Sequence, residues 1–466
     1  MLEIIIILAA LGFVGFLIAK KVKAAAALLA GGMLLLLISV LLGHVGDNTM
    51  LHDEKALTGV ALVDQLSVMK AIIMKNLTGS GLIIMVLFGY TAYMDTLGAN
   101  TKTVRVLSRP LLALRGSAQL LLVPLTFIVV NLMSLAVPSG ATLAVLLGAT
   151  LYPALVGAGM SPLTAGAIIG TSATIMPSPL AADSIEAAHQ LKMSIGDYVF
   201  GNNAKVSIPA ILIMALVHTF WQRYQDRRDM ERGREIGKRG LSQESVEAAK
   251  HVPGFYALFP VLPLLSVLVL YILKHVGVIS FEIGLVEITL ACLFVVVVIE
   301  LIRQRTLFDT IGNTASYFKG MGDAVTGVVS IIIAAGFLIE GIQQMGVLKM
   351  LLNKVSGLHG AAMLIGLAFV GVAVLLGLMT GSGLAAFFAL MPVVPGIAAS
   401  TGAAGPMISV PLQCAASLAR SGSPVAASTL ISAGIAGVEP QQLLKRTLPV
   451  VLSGIVSSVV VSWIVL

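Results

Sequence analysis

Arg420 is the residue of this chain best placed to do chemistry, because of the sequence around it. It belongs to the stretch SLARSGSP at 417–424, between two apolar segments that are each about half as long as a membrane-spanning helix. A guanidinium stays charged at every biological pH, and a buried one must face a partner or water. Gly422 and Pro424 interrupt the helix at the same point and release backbone groups. The pattern therefore predicts an anion site at a broken membrane helix.

Three other segments combine Gly, Ser and Pro in a way that could complete this site. Two are predicted turns, VPSGAT at 137–142 and MTGSGLA at 379–385, and the third is a predicted helix break, IMPSPL at 175–180. Half-helix N-termini and hydroxyl groups donate hydrogen bonds to carboxylates. The alternative is that the small residues only allow close helix packing. The predicted substrate-binding residues are Arg420, Ser139, Gly140, Thr142, Ser178, Thr380, Ser382, Gly383, Ser417, Ser421 and Ser423.

Asp183 is the acidic residue nearest to the first break, and it allows three interpretations. It could form a structural ion pair with Arg420, titrate and couple protons to transport, or lie near the outer surface. Unwound backbone carbonyls could instead hold a sodium ion, with Ser139 and Ser382 as the nearest hydroxyl groups. The sequence therefore leaves the coupling ion open between Na⁺ and H⁺.

Several other polar residues are expected at solvated or interfacial positions rather than in the site. Glu186 and His189 are expected to be solvated beyond the first break, and Asn203 is expected to anchor the membrane interface or to help a gate. Asp95 and Asp323 are expected near the inner ends of their helices. The sequence contains no phosphate-binding loop, no zinc-protease motif and no serine-elbow motif, so we predict no cofactor and no metal.

The composition places the chain in the membrane. Of its 466 residues, 58% are hydrophobic and 11% are charged, and the mean hydropathy is +1.00. No soluble domain of this length could bury so much apolar surface, and the apolar runs are continuous rather than alternating. The formal net charge of +7 fits basic cytoplasmic loops better than nucleic-acid binding. The predicted fold class is an all-α polytopic membrane protein, with the lipid bilayer as its partner.

Ten membrane crossings and two re-entrant hairpins account for the apolar segments. Eight crossings are uninterrupted, at about 2–19, 24–43, 78–96, 198–220, 255–273, 281–302, 321–341 and 448–465. The hairpins are predicted at 117–156 and 360–397, and the broken helices at 162–190 and 405–437. With both termini outside, inner loops hold 20 of the 29 Lys and Arg residues and outer loops hold 8, which favours this orientation. His218 then marks the inner interface.

The order of these elements repeats along the chain. Residues 1–221 and 253–466 each contain three spans, a hairpin, a broken helix and a last span, and a charged cytoplasmic linker at 222–252 separates them. With five crossings in each half, the second half must insert in the opposite orientation. Inverted repeats with broken helices at the midplane are typical of secondary transporters. The alternatives from other classes are an intramembrane enzyme and an anion channel.

Several longer stretches are distinctive when they are taken together. They are GANTKTVRVLSRPL at 98–111, LMSLAVPSGATLAVLLGATLYP at 132–153, FWQRYQDRR at 220–228, TGSG at 380–383 and SLARSGSPV at 417–425. Through them the chain resembles the DcuC-type anaerobic C4-dicarboxylate carriers of the ion transporter superfamily, along nearly its whole length. The resemblance implies a homodimer in the bacterial inner membrane that moves succinate, fumarate or malate by exchange or cation-coupled transport, with an elevator motion. Both termini would be periplasmic.

Two positions depart from the family pattern. Leu384 follows the second turn where the family often has Asn, and Ser417 lies three residues before Arg420, where Asn is again frequent. The loss of two amide groups near the site allows a different carboxylate, citrate-like or amino-acid-like. The sequence therefore predicts a secondary active carrier of small carboxylates, with C4-dicarboxylates as the first candidates.

Overall fold

The computed structural model describes residues 2–44, 58–112, 119–231, 252–346, 350 and 361–466 of the chain. All regular structure within these ranges is helical. Most of the predicted linker at 222–252 lies outside the described residues. Its first ten residues are described, and they continue the helix that ends at Glu231.

The first half of the chain contains eleven described helices. They are α1 (Leu2–Ala19), α2 (Ala24–Leu42), α3 (Ala61–Asn76), α4 (Leu82–Thr96), α5 (Ala99–Leu112), α6 (Gln119–Met133), α7 (Gly140–Thr150), α8 (Tyr152–Gly157), α9 (Pro162–Gly170), α10 (Ala182–Gln190) and α11 (Ala204–Glu231). A π-helical segment, Leu77–Gly81, joins α3 to α4, and a second one, Asp197–Asn203, leads into α11.

The second half contains a similar succession of described helices. They are α12 (Leu262–His275), α13 (Leu285–Gln304), α14 (Leu307–Asn313), α15 (Ala315–Ala324), α16 (Ser330–Gln344), α17 (Ala361–Thr380), α18 (Gly383–Leu390), α19 (Val394–Thr401), α20 (Gly405–Ser421), α21 (Ala427–Ala436) and α22 (Pro440–Val465). A 3-10 helix, Gly254–Val261, precedes α12, and another, Met391–Val393, separates α18 from α19. The π-helical segment Val325–Val329 joins α15 to α16.

Nine helices within the described ranges are long and apolar enough to cross a membrane. They include counterparts of seven predicted spans, and the eighth, at 2–19, is present as a shorter apolar helix. The arms of the second predicted hairpin, Ala362–Thr380 and Gly383–Thr401, are also long enough to cross. The polytopic all-helical class is therefore confirmed, whereas re-entry of the hairpins and opposed insertion of the halves stay predictions.

Two helical stretches are much longer than the sequence predicted. Ala61–Thr96 and Leu307–Gln344 span 36 and 38 residues, where apolar runs of about 20 were expected. Lys70 and Lys75 interrupt the apolar pattern of the first stretch, so its N-terminal part was not predicted as a helix. The π-helical segment Val325–Val329 keeps the second stretch helical while shifting the faces of its two parts relative to each other. The segment Leu77–Gly81 instead kinks the first stretch at Gly79, whose backbone angles are not helical.

Both predicted turns occur where the sequence placed them, and each starts a helix with a serine cap. Ser139 precedes α7, and its hydroxyl oxygen accepts a hydrogen bond from the Thr142 backbone N–H at 3.3 Å. Ser382 precedes α18 and accepts a bond from the Ala385 N–H, also at 3.3 Å. Gly381 has a φ of +66°, a left-handed conformation that favours glycine at this turn.

A buried arginine forms ion pairs between α11 and α22, the helices that follow the two breaks. Arg446 of α22 is 2% exposed, and its Nη1 and Nη2 atoms each lie 2.7 Å from a carboxylate oxygen of α11, on Asp226 and Asp229 respectively. Asp226 also accepts hydrogen bonds from Ser161 and Thr164 at the start of α9. The cluster therefore joins α9, α11 and α22 at one end of the bundle. A buried arginine requires such partners, because an unpaired buried charge is costly.

Candidate functional site

A cavity of about 520 Å³ lies where the two turns and the two breaks converge. Its wall includes residues 138–142 of the first turn, 381–384 of the second turn, 173–183 of the first break in part, and Arg420 at the second break. Residues of α4 and α15 complete the wall. Segments far apart in the sequence thus meet around one space, and the volume is in the range of small-molecule sites, about 300–1,000 Å³.

Arg420 lines this cavity, and much of its hydrogen-bonding capacity has no partner among the described residues. Its Nη2 atom donates to the backbone carbonyl of Ala173 at 2.7 Å, and its Nε atom is buried with no hydrogen-bond partner among the described residues. Ala173 has a φ of +52°, which is uncommon for a residue with a side chain and fixes the direction of this carbonyl. A guanidinium has five N–H donors, so the planar group retains the geometry for a bidentate contact with a carboxylate.

The N-terminus of α7 lies directly against the guanidinium. A Cβ atom at Gly140 would approach Nη1 and Nη2 of Arg420 to 2.8 and 2.9 Å, so this position accommodates glycine alone without displacement of the arginine. The N-terminus of a helix carries partial positive charge. The helix end and the guanidinium carry charge of the same sign, and an anion between them would be stabilised by both.

Asp183 lies at the wall of the same cavity and is 7% exposed. Its carboxylate accepts hydrogen bonds from the Ser184 N–H at 2.9 Å and from the Ser417 hydroxyl at 3.3 Å. In the described part of the chain, no ion pair within 4.0 Å joins Asp183 to Arg420. The structure therefore favours neither the structural ion pair nor the outer-surface position, and it leaves Asp183 beside the cavity as a coupling candidate.

Gln413 is a site residue that the sequence analysis missed. Its Oε1 atom accepts hydrogen bonds from the Tyr198 hydroxyl at 2.8 Å and from the Asn203 Nδ2 atom at 2.9 Å, and its Nε2 atom donates to the Ser184 hydroxyl at 3.0 Å. It lies seven residues before Arg420, which is two helical turns along α20 and on the same face. That spacing was the available signal.

Three expectations about polar residues are wrong. Asn203 is 3% exposed and lines the cavity instead of anchoring the interface, because its Nδ2 atom donates a hydrogen bond to Gln413. Glu186 is 1% exposed instead of solvated, because the π-helical segment of the first long stretch places the Ser80 hydroxyl against its carboxylate. His218 was expected to mark the inner interface, but it is fully buried, with its Nε2 atom 2.8 Å from the Thr171 hydroxyl.

The predicted binding residues divide into two groups in the structure. The first group lines the cavity and consists of Arg420, Ser139, Gly140, Thr142, Ser178, Ser382, Gly383 and Ser417. Thr380, Ser421 and Ser423 lie outside the lining. The Thr380 hydroxyl bonds backbone groups of its own turn, and the Ser423 hydroxyl donates to the Leu378 carbonyl at 2.7 Å. Ser421 is buried, and its hydroxyl has no partner among the described residues.

Both departures from the family pattern face the same space. Leu384 and Ser417 line the cavity, together with the apolar side chains of Ile175 and Met176 from the first break. The two missing amides would therefore have stood at the cavity wall. Acidic residues of α4 and α15, Asp95 and Asp323, lie at the wall too, so the cavity combines one guanidinium with several carboxylates.

Comparisons with solved structures identify the architecture. Over 95% of this chain and 98% of the other, the fold is similar to that of the YdaH transporter of Alcanivorax borkumensis, with a TM-score of 0.58 and 17% sequence identity. It is also similar to MtrF of Neisseria gonorrhoeae, described among antimetabolite efflux pumps, over 95% of both chains with a TM-score of 0.54 and 12% identity. At such identities the likeness concerns the fold alone.

Sequence comparison is more specific. The family described as "DcuC: C4-dicarboxylate anaerobic carrier" matches residues 1–466. The anaerobic C4-dicarboxylate transporter DcuC of Escherichia coli strain K12 is 32% identical over 427 residues, covering 91% of this chain and 88% of the relative. A DcuC-type transporter of Vibrio cholerae is 32% identical over 463 residues, covering 99% of this chain and 97% of the relative. The chain is therefore a multi-pass membrane transporter that belongs to the DcuC family.

Proposed function

We propose that the protein is a secondary active carrier of C4-dicarboxylates such as succinate, fumarate and malate. The observation that carries the proposal is the position of Arg420, which lines the central cavity, has one hydrogen-bond acceptor among the described residues and lies against the N-terminus of α7. This arrangement suits a carboxylate. The names of the Escherichia coli and Vibrio cholerae relatives support the same substrate class.

In the proposed complex, one substrate carboxylate accepts hydrogen bonds from Arg420 and from the first turn, through the Ser139 hydroxyl and the Gly140 N–H. The second carboxylate accepts bonds from the second turn, around Ser382 and Gly383. Both turns line the cavity, so a short dianion can lie between them. A four-carbon chain separates its carboxylates by only a few bonds, which matches two donor sites that face each other across one cavity.

The transport cycle is proposed to couple substrate movement to Na⁺ or H⁺, or to exchange. Asp183, Ser139 and Ser382 are the candidate coupling residues, and all three line the cavity. The hairpins and broken helices are proposed to move as an elevator relative to the other spans, in two inverted repeats. A homodimer in the bacterial inner membrane, with periplasmic termini and a cytoplasmic linker, completes the proposal.

A different carboxylate in the same cavity is the second candidate. The apolar Leu384 and the short Ser417 stand where the family often has amides, which removes two hydrogen-bonding groups from the wall and makes it more apolar at residue 384. A citrate-like or amino-acid-like substrate would use the same guanidinium but would fill more of the cavity. The discrimination among these substrates depends on the polar groups opposite Arg420.

The proposal is tested with the full chain reconstituted in proteoliposomes. Labelled succinate inside is expected to exchange for external succinate, fumarate or malate in a saturable counterflow. Citrate, aspartate and monocarboxylates are tested as external competitors. Counterflow with citrate or aspartate alone would transfer the proposal to the second candidate. Conductance without saturation or counterflow would indicate a channel, and chemical alteration of the label would indicate an enzyme.

A further inference from the structure

Helix α10 connects the substrate cavity to a second cavity. The second cavity has a volume of about 290 Å³ and lies between the C-terminal part of α10, α12 and α13. Asp183, in the first turn of α10, lines the substrate cavity, and His189, in its last turn, lines the second cavity. Glu186 lies midway, three residues from each. Residues three apart are neighbours on a helix surface, with a rise of about 4.5 Å between them.

Glu186 is a buried carboxylate whose hydrogen-bond partners among the described residues are neutral. Its Oε2 atom accepts a hydrogen bond from the Ser80 hydroxyl, and its Oε1 atom accepts one from the Gln190 Nε2 atom at 2.7 Å. Both donors are neutral, and no Lys, Arg or His nitrogen in the described ranges lies within 4.0 Å of the carboxylate. A buried charge is costly when no opposite charge compensates it, and intramembrane carboxylates of this kind are characteristic of proton pathways. Binding of a proton removes the charge.

The hydrogen bond from Ser80 crosses between two elements. Ser80 belongs to the π-helical segment of the long stretch Ala61–Thr96, next to Gly79, whose backbone angles of −84° and −120° are not helical. His189 packs on the same irregular segment, since a Cβ at Gly79 would lie 2.7 Å from its Nε2 atom. The Nδ1 atom of His189 is buried and has no partner among the described residues.

Other titratable groups surround this row of three. Among the elements packed against α10, the segment Asp197–Asn203 carries Asp197 and Tyr198, α20 carries Cys414 and Arg420, and α4 carries Tyr90, Tyr93 and Asp95. The segments 77–81, 383–390 and 391–393 carry none. Tyr271, Lys274 and Glu282 line the second cavity, and the last two form an ion pair with each other. The row along α10 that lies between the two cavities therefore consists of Asp183, Glu186 and His189.

We propose that Glu186 is the proton-binding residue of the transport cycle, and that protons pass between the second cavity and the substrate cavity along His189, Glu186 and Asp183. A proton taken from water in the second cavity neutralises the Glu186 carboxylate and is later released past Asp183 into the substrate cavity. Loss and gain of this charge alter the contact of α10 with Ser80. The proposal rests on the carrier function proposed above, because it assigns the coupling ion of that carrier.

The test uses the full chain in proteoliposomes without sodium. Glu186→Gln keeps the size of the side chain but cannot bind a proton, and Glu287→Gln is the matched control, since Glu287 is an exposed carboxylate on α13. Succinate counterflow is measured at equal pH on both sides. Accumulation of succinate and acidification of the lumen, followed with an enclosed pH-sensitive dye, are measured under an inward proton gradient. Glu186→Asp tests whether a carboxylate restores coupling.

We expect Glu186→Gln to retain counterflow within about twofold while gradient-driven accumulation and lumen acidification disappear, with Glu186→Asp recovering part of both. Gradient-driven accumulation by Glu186→Gln overturns the proposal, and so does loss of its counterflow, which would make Glu186 a structural residue. A wild-type protein with counterflow but no response to a proton gradient overturns it as well. A wild-type protein without succinate counterflow contradicts the carrier function itself, so the two failures are distinguishable.

Discussion

Replacement of Arg420 by lysine is the most direct test of the proposed substrate site. The guanidinium donates a hydrogen bond to the carbonyl of Ala173 and lies in close contact with Gly140. Lysine keeps the positive charge but has a single ammonium group, so it cannot contact a carboxylate with two parallel N–H bonds. The substitution therefore removes the bidentate geometry without removing the charge.

The expected loss follows from the number of contacts. Loss of one hydrogen bond to a charged carboxylate costs about 1.5–3 kcal/mol. Since about 1.4 kcal/mol corresponds to a factor of ten, the affinity for succinate should fall roughly ten- to hundred-fold. The carbonyl of Ala173 also loses its donor, which is expected to loosen the first break and to slow transport further.

Binding and transport are both measured for this variant. Isothermal titration in detergent gives the succinate Kd, and counterflow in proteoliposomes gives the rate, with Arg223→Lys as the control because Arg223 is exposed on α11. We expect Arg420→Lys to be inserted and folded but to bind weakly. Wild-type affinity and wild-type counterflow in this variant would refute the assignment of Arg420 to the substrate.

Three further substitutions test other parts of the site and the fold. Gly140→Ala should raise the KM for succinate severalfold by displacing Arg420, whereas Gly371→Ala, which meets open space on α17, should not; equal KM values would argue against the contact between turn and guanidinium. Arg446→Met should lower the free energy of unfolding by about 3 kcal/mol, because two carboxylates lose their cation, and an unchanged midpoint of denaturation in detergent would contradict this. Leu384→Asn should lower the Kd for succinate relative to citrate by adding an amide at the cavity wall, and titration of both ligands would show an unchanged ratio if the side chain does not face the substrate.

The lengths of the helices show where sequence reasoning succeeded and where it stopped. Continuous apolar runs such as Ala24–Leu42 and Pro440–Val465 were located within a few residues, apart from the polar first turns of the second. Of the stretch Ala61–Thr96, only the part that follows the kink at Gly79 was predicted, because Lys70 and Lys75 lower the hydropathy of the preceding part although they do not interrupt α3. Hydropathy records the solvent of a segment, whereas helix continuity depends on backbone hydrogen bonds that charged side chains do not disturb.

The site shows the same distinction at the level of single residues. Arg420 and the serine and glycine pairs of the two turns were found because small residues and a charge inside apolar sequence are conspicuous. Ser423 was expected to contact substrate, but its hydroxyl instead ties the second break to the Leu378 carbonyl. Gln413 was not predicted as a cavity residue, because a single amide in a helix has no distinctive local pattern. Its hydrogen-bond partners Tyr198 and Asn203 are more than 200 residues away in the sequence.

The sequence alone therefore determined the class of the protein, its membrane segments, its family and the residues with unusual chemistry, because composition, hydropathy and short motifs are local properties. The tertiary structure decided which of these residues meet. It brought Ser139, Ser382 and Arg420 to one cavity and kept Ser421 outside it. It also buried Glu186 against Ser80, a contact that depends on the packing of two helices and on one π-helical segment. Such contacts join residues distant in the chain, so no local pattern encodes them.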